Sequence, residues 1–315
     1  MGNNFTSQTT KTFQPKSKTS KGIIKKEGKN PGKMDHFTSE ANSIINVRTF
    51  GGLSIFVNQV LNRSFNITHQ LKMGSTIEPP NYTLSTSYSS GNYLLQGNID
   101  QMGTVRGAYF HKLLPRLLMN TNFRISKVNS YDTNFVSSSF EYFGQNSTTE
   151  VELSTDHHFV LSHLRTVLPG YSCGVEVKKK IGDQNTQSNA IVALPRSLKV
   201  VGKIKKNRDV LSVILSKGPN FFCTQYVKKV TPRIGLASEF LYSSNGQKNH
   251  ELLSSFAVKY AMRNSKFQTR LTSNGEIYSL LNLKNSSNTY QFSTRINYPK
   301  DLYSIGFGMR INANL

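Results

Sequence analysis

Residues 65–73 read FNITHQLKM, and most of their odd-numbered positions are apolar while the even-numbered positions are polar. An alternation with a period of two is typical of a β-strand that has one apolar and one polar face. The same alternation recurs at 171–178, 290–298 and 305–311, in short segments bounded by turn residues. The pattern predicts β-strands throughout residues 53–311.

The length of this region limits the architectures that can hold it. Strands of about 10 residues joined by turns of three or four residues give about 19 strands, and a closed sheet of that size surrounds a water-filled lumen. The chain has no apolar run of the roughly 18 residues that a spanning helix needs, and its mean hydropathy is −0.41. A soluble β-sandwich pair shows the same alternation, but no linker divides the region. We therefore predict an all-β transmembrane barrel of about 19 antiparallel strands, closed by a parallel first and last pair.

Three segments follow from the change in composition along the chain. Residues 1–29 are lysine-rich and nearly free of apolar residues, which predicts a flexible basic tail. Residues 30–50 have the spacing of an amphipathic helix, with Asn30 as its cap and Pro31 at its first position. Residues 51–315 form the barrel. The apolar stripe of the helix consists of Met34, Phe37, Ala41, Ile44 and Ile45.

An odd strand number predicts where this helix lies. The start of the first strand and the end of the last strand then fall on opposite sides of the membrane. A helix inside the lumen brings the N-terminal segment back to the side where the last strand ends. A helix on the outer membrane surface is the alternative.

The net charge of +22 indicates either an acidic partner or basic residues that line loops and a polar lumen. A soluble basic β protein that binds RNA is one alternative, but no RNA-recognition signature interleaves the lysines with aromatic residues. We expect no nucleic acid as a partner.

His157, His158 and His163 alternate between faces without a carboxylate or cysteine to complete a metal site. We predict no catalytic site, metal or cofactor.

Several blocks resemble the channel-forming family of the translocase of the outer mitochondrial membrane, within the mitochondrial porin superfamily. These blocks are Asn30-Pro31-Gly32, the strand start Gly51-Gly52-Leu53, Asn81-Tyr82, Gly97-Asn98-Ile99-Asp100, Glu141-Tyr142-Phe143-Gly144 and Thr149-Glu150-Val151-Glu152-Leu153. Residues 185–280 align with nothing in that family, so this chain resembles a divergent member.

The resemblance implies a protein-conducting channel of the mitochondrial outer membrane. Its partners would be the lipid bilayer, precursor proteins with basic amphipathic presequences, translocase receptor and small accessory subunits, and further copies of the chain. The voltage-dependent anion channels have the same barrel and lumen helix. A metabolite porin of that kind is the alternative function.

The end of the chain fits the insertion signal of mitochondrial barrels. Ser304, Gly306, Met309 and Ile311 occupy its polar, glycine and two hydrophobic positions. Gly306 and Gly308 are predicted to face the lumen, where a missing side chain allows another backbone to approach.

Acidic groups on the lumen wall would favour passage of a basic presequence. Strand parity predicts six such residues to face inward: Asp100, Glu141, Glu150, Glu152, Asp156 and Glu176. The excess of lysine and arginine argues in the other direction, because basic walls favour anions. Segregation of the charges within the lumen would reconcile the two.

Overall fold

The structure is a computed structural model that describes residues 30–74, 79–126, 134–180, 197–217, 220–244 and 250–314. Within these residues a single sheet of nineteen strands closes into a barrel, and one α-helix precedes it. Among the described helices, none is long and apolar enough to cross a membrane. The predicted basic tail lies outside the described residues.

The strands follow one another at short intervals. Their bounds are β1 Gly52–Val60, β2 Phe65–Met73, β3 Asn81–Ser90, β4 Tyr93–Asp100, β5 Val105–Leu114, β6 Leu117–Ile125, β7 Phe135–Phe143, β8 Ser147–Ser154, β9 His158–Leu168, β10 Tyr171–Lys180, β11 Ser197–Lys206, β12 Asp209–Lys217, β13 Asn220–Lys229, β14 Ile234–Ser244, β15 His250–Ala261, β16 Ser265–Thr272, β17 Glu276–Asn285, β18 Asn288–Asn297 and β19 Leu302–Asn314.

Each strand pairs antiparallel with the next, and β19 pairs parallel with β1 to close the barrel. The closing register places Gly52 opposite Gly306 and Ile55 opposite Met309. Closure removes the two free edges, so every strand has a neighbour on both sides. The predicted strand number and the parallel first and last pair are confirmed.

The two faces of the sheet differ as the alternation requires. Apolar side chains such as Ile305, Tyr303 and Leu252 are exposed on the outer face. The inner face carries buried polar side chains, including Ser54, Ser139 and Ser293. An outer apolar band around a polar interior is the arrangement of a membrane barrel.

The N-terminal helix is shorter than the sequence predicts. A 3-10 helix covers Met34–His36, and the α-helix, α1, covers Ser39–Ile45. Asn30 does not cap a helix, because its side chain bonds to the β7–β8 turn instead. The prediction of one helix starting after Asn30 is therefore wrong.

The barrel has two rims, which differ in the strands that end there. The terminal rim is the one where odd-numbered strands end, and it holds the turns after β7, β11 and β13 as well as the end of β19. The opposite rim holds the turns that follow even-numbered strands, including those after β4 and β8.

Candidate channel lumen

The N-terminal segment enters the lumen at the terminal rim. The Asn30 side chain donates hydrogen bonds to the carbonyl oxygens of Gly144 and Ser147, at 2.6 and 3.1 Å. Its own carbonyl oxygen accepts from the Thr148 hydroxyl at 3.0 Å and from the Gly32 amide at 2.8 Å. Only an asparagine side chain combines two donors with an acceptor at this length. The segment thus begins on the side where β19 ends, as predicted for a helix inside the lumen.

A buried ion pair fixes the next part of the segment. The Lys33 ammonium lies 2.5 Å from the Glu141 carboxylate, whose side chain is only 2% exposed. Glu141 sits on β7 with Ser137 and Ser139, all facing the lumen. Because a buried carboxylate is costly without a partner, Lys33 and Glu141 hold each other in place.

The apolar stripe of the N-terminal segment packs against the inner wall in two clusters. Met34 and Phe37 contact Leu164 on β9 and Val201 on β11. Ala41, Ile44 and Ile45 pack on inward residues of β12 to β15, which are Val210, Val227, Ala237 and Ala257. The helix therefore covers apolar residues that β12 to β15 carry on their lumen face.

Polar contacts attach the other side of α1. Lys205 donates a 2.7 Å hydrogen bond to Glu40, and Lys203 lies 3.6 Å from the same carboxylate. Burial alone would raise the pKa of Glu40, but the hydrogen bond from Lys205 and the charges of Lys203, Lys205 and Lys229 lower it below its usual value. Glu40 therefore stays ionised near neutral pH.

A second polar network lies under the helix. Gln225 donates to Asn42 of α1 at 3.3 Å and to Glu239 of β14 at 3.0 Å. Arg270 pairs with Glu239 at 3.3 Å. Gln268 donates to the carbonyl oxygen of Ser43 at 2.9 Å. The helix thus lies along the inner wall and narrows the lumen beside β13 to β16.

After α1, the N-terminal segment passes over the strand pair β1 and β19, the seam that closes the barrel. The Phe50 amide donates to the Ser293 hydroxyl at 3.2 Å, and that hydroxyl donates to the Phe50 carbonyl oxygen at 2.5 Å. The Phe50 backbone and ring also lie directly over Gly306 and Gly308. Both glycines are buried on the lumen side, which is the arrangement the sequence predicts for them. Met309 and Ile311 fall on the alternate, outer face of β19, and Ser304 falls on the inner face.

Besides Glu141, three of the predicted wall acids lie inside the lumen. Glu150 and Glu152 lie on inward positions of β8, where Glu150 is in register with Glu141 and Glu152 with Ser139. Glu176 faces inward on β10 and pairs with Lys199 at 3.2 Å. These residues line the lumen.

The other two predicted acids lie at the opposite rim. Asp100 ends β4, and its carboxylate accepts hydrogen bonds from the amides of Met102 and Thr104 in the following turn. Asp156 is exposed in the turn between β8 and β9. Parity does not apply to Asp156, because β8 ends at Ser154 and the turn redirects the chain.

Sequence reasoning missed two acids that join neighbouring strands of the inner wall. Glu239 joins Gln225, Arg270 and Ser255. Glu276 joins Arg295 and Asn297. Their inward parity on β14 and β17 is the available signal, but it can be read only when the strand boundaries between residues 185 and 280 are known.

Charge on the lumen wall is segregated. The carboxylates of Glu141, Glu150 and Glu152 share two adjacent strands. Five inward positions of β10 and β11 carry lysines, which are Lys178, Lys180, Lys199, Lys203 and Lys205, and Glu176 is the one carboxylate among them. Strand β9 separates these two regions.

The histidine and cysteine residues form no shared site. His157 lies in a turn with a φ of 59°, while the outward His163 is hydrogen-bonded to Thr149 at 2.9 Å. Among the described residues, no group of three potential metal ligands comes together. Cys173 is exposed on β10, and Cys223 is buried on β13.

Comparison with known proteins identifies the family of this chain. Residues 30–308 match the family model described as eukaryotic porin. The chain belongs to the eukaryotic porin family. The match starts at the asparagine that anchors the N-terminal segment and extends into the last strand.

Two curated relatives of this porin are mitochondrial import receptor subunits. The TOM40 homolog 2 of Drosophila melanogaster is 25% identical over 91% of this chain and 85% of its own length. The tom40 of Neurospora crassa is 21% identical over 90% of this chain and 84% of its own length. At these identities the porin is a divergent, TOM40-like member, and it is a channel-type barrel of the mitochondrial outer membrane.

Solved structures share the fold at very low identity. A protein described under "Asymmetric conductivity of engineered proteins" has a TM-score of 0.50 and 7% identity, over 78% of this chain and 96% of its own. A mutant of the Rh. blastica porin has a TM-score of 0.50 and 7% identity, over 77% of this chain and 95% of its own. These likenesses concern the barrel alone.

Proposed function

We propose that this porin is a protein-conducting channel that imports precursor proteins across the mitochondrial outer membrane. The observation that carries the proposal is the pair Glu150 and Glu152 on the lumen wall of β8. Among the described residues, no lysine or arginine nitrogen lies within 4.0 Å of either carboxylate. Together with Glu141, whose carboxylate is paired with Lys33, they form an acidic strip beside the entry of the N-terminal segment. The import function named for its two relatives supports the same conclusion.

The passenger that suits this wall is a basic amphipathic presequence. Half-buried carboxylates on the wall of a wet lumen attract a passing cation weakly, which permits release. The separation of this strip from the lysines of β10 and β11 lets a basic segment follow one side of the lumen. We propose the partners accordingly: precursor proteins, receptor and small accessory subunits of a translocase, and further copies of the chain.

A metabolite porin is the second candidate, and the lysines of β10 and β11 favour it. Lys178, Lys180, Lys199 and Lys205 face the lumen and would favour small anions. The two functions differ in the passenger, so the test must identify it. Neither function involves catalysis.

The test uses the porin reconstituted in vesicles, with a photo-crosslinking residue at Ser154, which follows Glu152 on the same inner face. A basic amphipathic presequence should crosslink at low salt, and Glu150→Gln/Glu152→Gln should reduce the yield about two- to tenfold and weaken its salt dependence. Asp156→Asn, alone and added to the double variant, shows whether the turn acid contributes.

A matched control removes the same charge elsewhere. Glu251→Gln/Asp301→Asn neutralises two acids outside the strip, and Asn is well tolerated at the left-handed Asp301. This control should leave crosslinking unchanged. A barrel that never crosslinks to the presequence, yet exchanges small anions, would make the metabolite porin correct.

A further inference from the structure

A groove on the outer face of the barrel lies between β9 and β12. It has a volume of about 260 Å³, and its outward lining residues are Val167, Tyr171, Cys173, Gly202, Ile204, Leu211 and Val213. Its floor is open at Gly202, where an added Cβ would meet nothing within 4 Å. An apolar groove on the membrane face of a barrel suits an acyl chain.

Cations cluster where this groove reaches the terminal rim. Lys206 follows Ile204 on the same outward face of β11 and ends that strand. Lys206 is in register with Asp209, which is in register with Lys228 on β13. All these positions lie at strand ends, at the depth where lipid headgroups meet a barrel.

Arginines add to the same surface from the adjacent turns and from β9. Arg208 in the β11–β12 turn donates to the Val230 carbonyl oxygen at 3.0 Å, which links it to the β13–β14 turn. Arg233 is exposed in that second turn. Arg165 is exposed on the outward face of β9, in register with Cys173 of the groove. In residues 204–213 and 226–234, Asp209 is the only carboxylate among these cations.

We propose that this surface is a binding site for an anionic phospholipid of the surrounding bilayer. An acyl chain lies in the groove over Gly202, and the headgroup phosphate accepts hydrogen bonds from Lys206, Lys228 and Arg208. The excess of positive charge selects an anionic headgroup over a zwitterionic one. Nothing in this site involves the lumen, so it is independent of what the channel conducts.

The chain contains no tryptophan, so a single introduced tryptophan reports its own surroundings. Leu211→Trp places the reporter in the groove, and Tyr171→Trp places a second reporter on its other wall. In lipid nanodiscs, brominated phosphatidylglycerol should quench both reporters at lower mole fraction than brominated phosphatidylcholine does. Tyr88→Trp is the reference, because it lies outward near the same rim beside a turn without charged residues.

Charge variants separate the headgroup from the chain. Lys206→Gln/Lys228→Gln should reduce the preference for phosphatidylglycerol about tenfold or more, since each interfacial lysine contributes about fivefold. Arg63→Gln/Arg116→Gln, which removes two exposed cations from other turns of the same rim, should leave it unchanged. Gly202→Leu should weaken quenching by both lipids without changing their ratio.

Three results would overturn the proposal. Equal quenching by the two lipids at both groove reporters would show that the cations select no headgroup. An equal preference at Tyr88→Trp would show general enrichment of anionic lipid around the barrel. Displacement of the lipid by millimolar inorganic phosphate would show a site for soluble phosphate instead.

Discussion

The carbonyl oxygen of Phe50 lies so close to Gly306 that a Cβ atom on residue 306 would overlap it. The hydroxyl of Ser293 and the ring of Phe50 crowd the same position. The entry into β1 therefore crosses the last strand where that strand has no side chain. Two glycines at the seam accommodate the segment that precedes the first strand.

Replacing Gly306 with valine should impair closure of the barrel. Relieving the overlap requires the Phe50 segment or β19 to move, and we expect a loss of about 1–3 kcal/mol in the free energy of unfolding. The measurements are heat-modified gel mobility and insertion into isolated mitochondria. Gly202→Val is the control, because that glycine has open space around it. Equal stability of the two variants would contradict the role assigned to Gly306.

Charges on the outer face of β19 should also prevent assembly. Met309→Lys/Ile311→Lys places two ammonium groups toward lipid, and each costs up to about 2–4 kcal/mol at the depth of the membrane centre. Translation should proceed normally while membrane insertion stalls, as measured by carbonate extraction. Asn312→Lys, a lysine on the inward face of the same strand, should insert. Normal insertion of the double variant would show that the hydrophobic positions of the signal are not needed.

Breaking the Lys33 and Glu141 pair should release the start of the N-terminal segment. Lys33→Met leaves a buried carboxylate without its cation, which costs about 3–5 kcal/mol. Protease sensitivity of the segment should rise, and Lys33→Met/Glu141→Leu should restore part of the protection. Lys199→Met breaks the more exposed pair with Glu176 and should cost no more than about 1 kcal/mol. A double variant as sensitive as the single one would argue against the pair as an anchor.

The anchor at Asn30 can be tested by an isosteric change. Asn30→Asp keeps an acceptor for Thr148 and Gly32 but loses both hydrogen bonds to Gly144 and Ser147. It also places a carboxylate beside two carbonyl oxygens. We expect the N-terminal segment to detach from the β7–β8 turn and become more sensitive to protease, with the same result for Asn30→Ala. Asn46→Asp, an exposed position after α1, is the control and should leave the protease sensitivity of the segment unchanged.

Docking of α1 should weaken in acid. Because the pKa of Glu40 is lower in the folded protein than in an unfolded chain, the ionised carboxylate stabilises docking fully above the usual glutamate value of about 4.3. That stabilisation is lost as the pH falls through the lowered pKa. A spin label at residue 46, with Cys173→Ser, should gain mobility in that acidic range. Glu40→Gln should be mobile already at neutral pH and show a smaller change on acidification.

Much of the fold follows from local pattern. The period of two in segments such as residues 65–73 fixes the strands, and their number fixes closure and the parallel pair of β1 and β19. Inward Gly306 and Gly308 follow from the same parity. The strands and the inward parity depend on near neighbours in the sequence, and closure with its parallel pair follows from the strand count, which is why the sequence alone predicts them.

The contacts of the N-terminal segment do not follow from local pattern. Asn30 looks like a helix cap, but its partners Gly144 and Ser147 are more than a hundred residues away in the chain. The helix is limited to Ser39–Ile45 because tertiary bonds compete for the preceding residues. The acids Glu239 and Glu276 were missed for a similar reason, since their roles depend on neighbours across several strands.

The pairing of β1 with β19 joins residues about 250 positions apart, such as Gly52 and Gly306. The barrel therefore cannot be sealed before β19, Leu302–Asn314, has been synthesised, and any product that stops short of residue 302 has a permanent gap. Of the strand pairs in the barrel this one spans the greatest distance in sequence, so forming it carries the largest loop-closure cost unless the strands between are already ordered. A barrel in which the other eighteen strand pairs have formed still leaks until β19 meets β1.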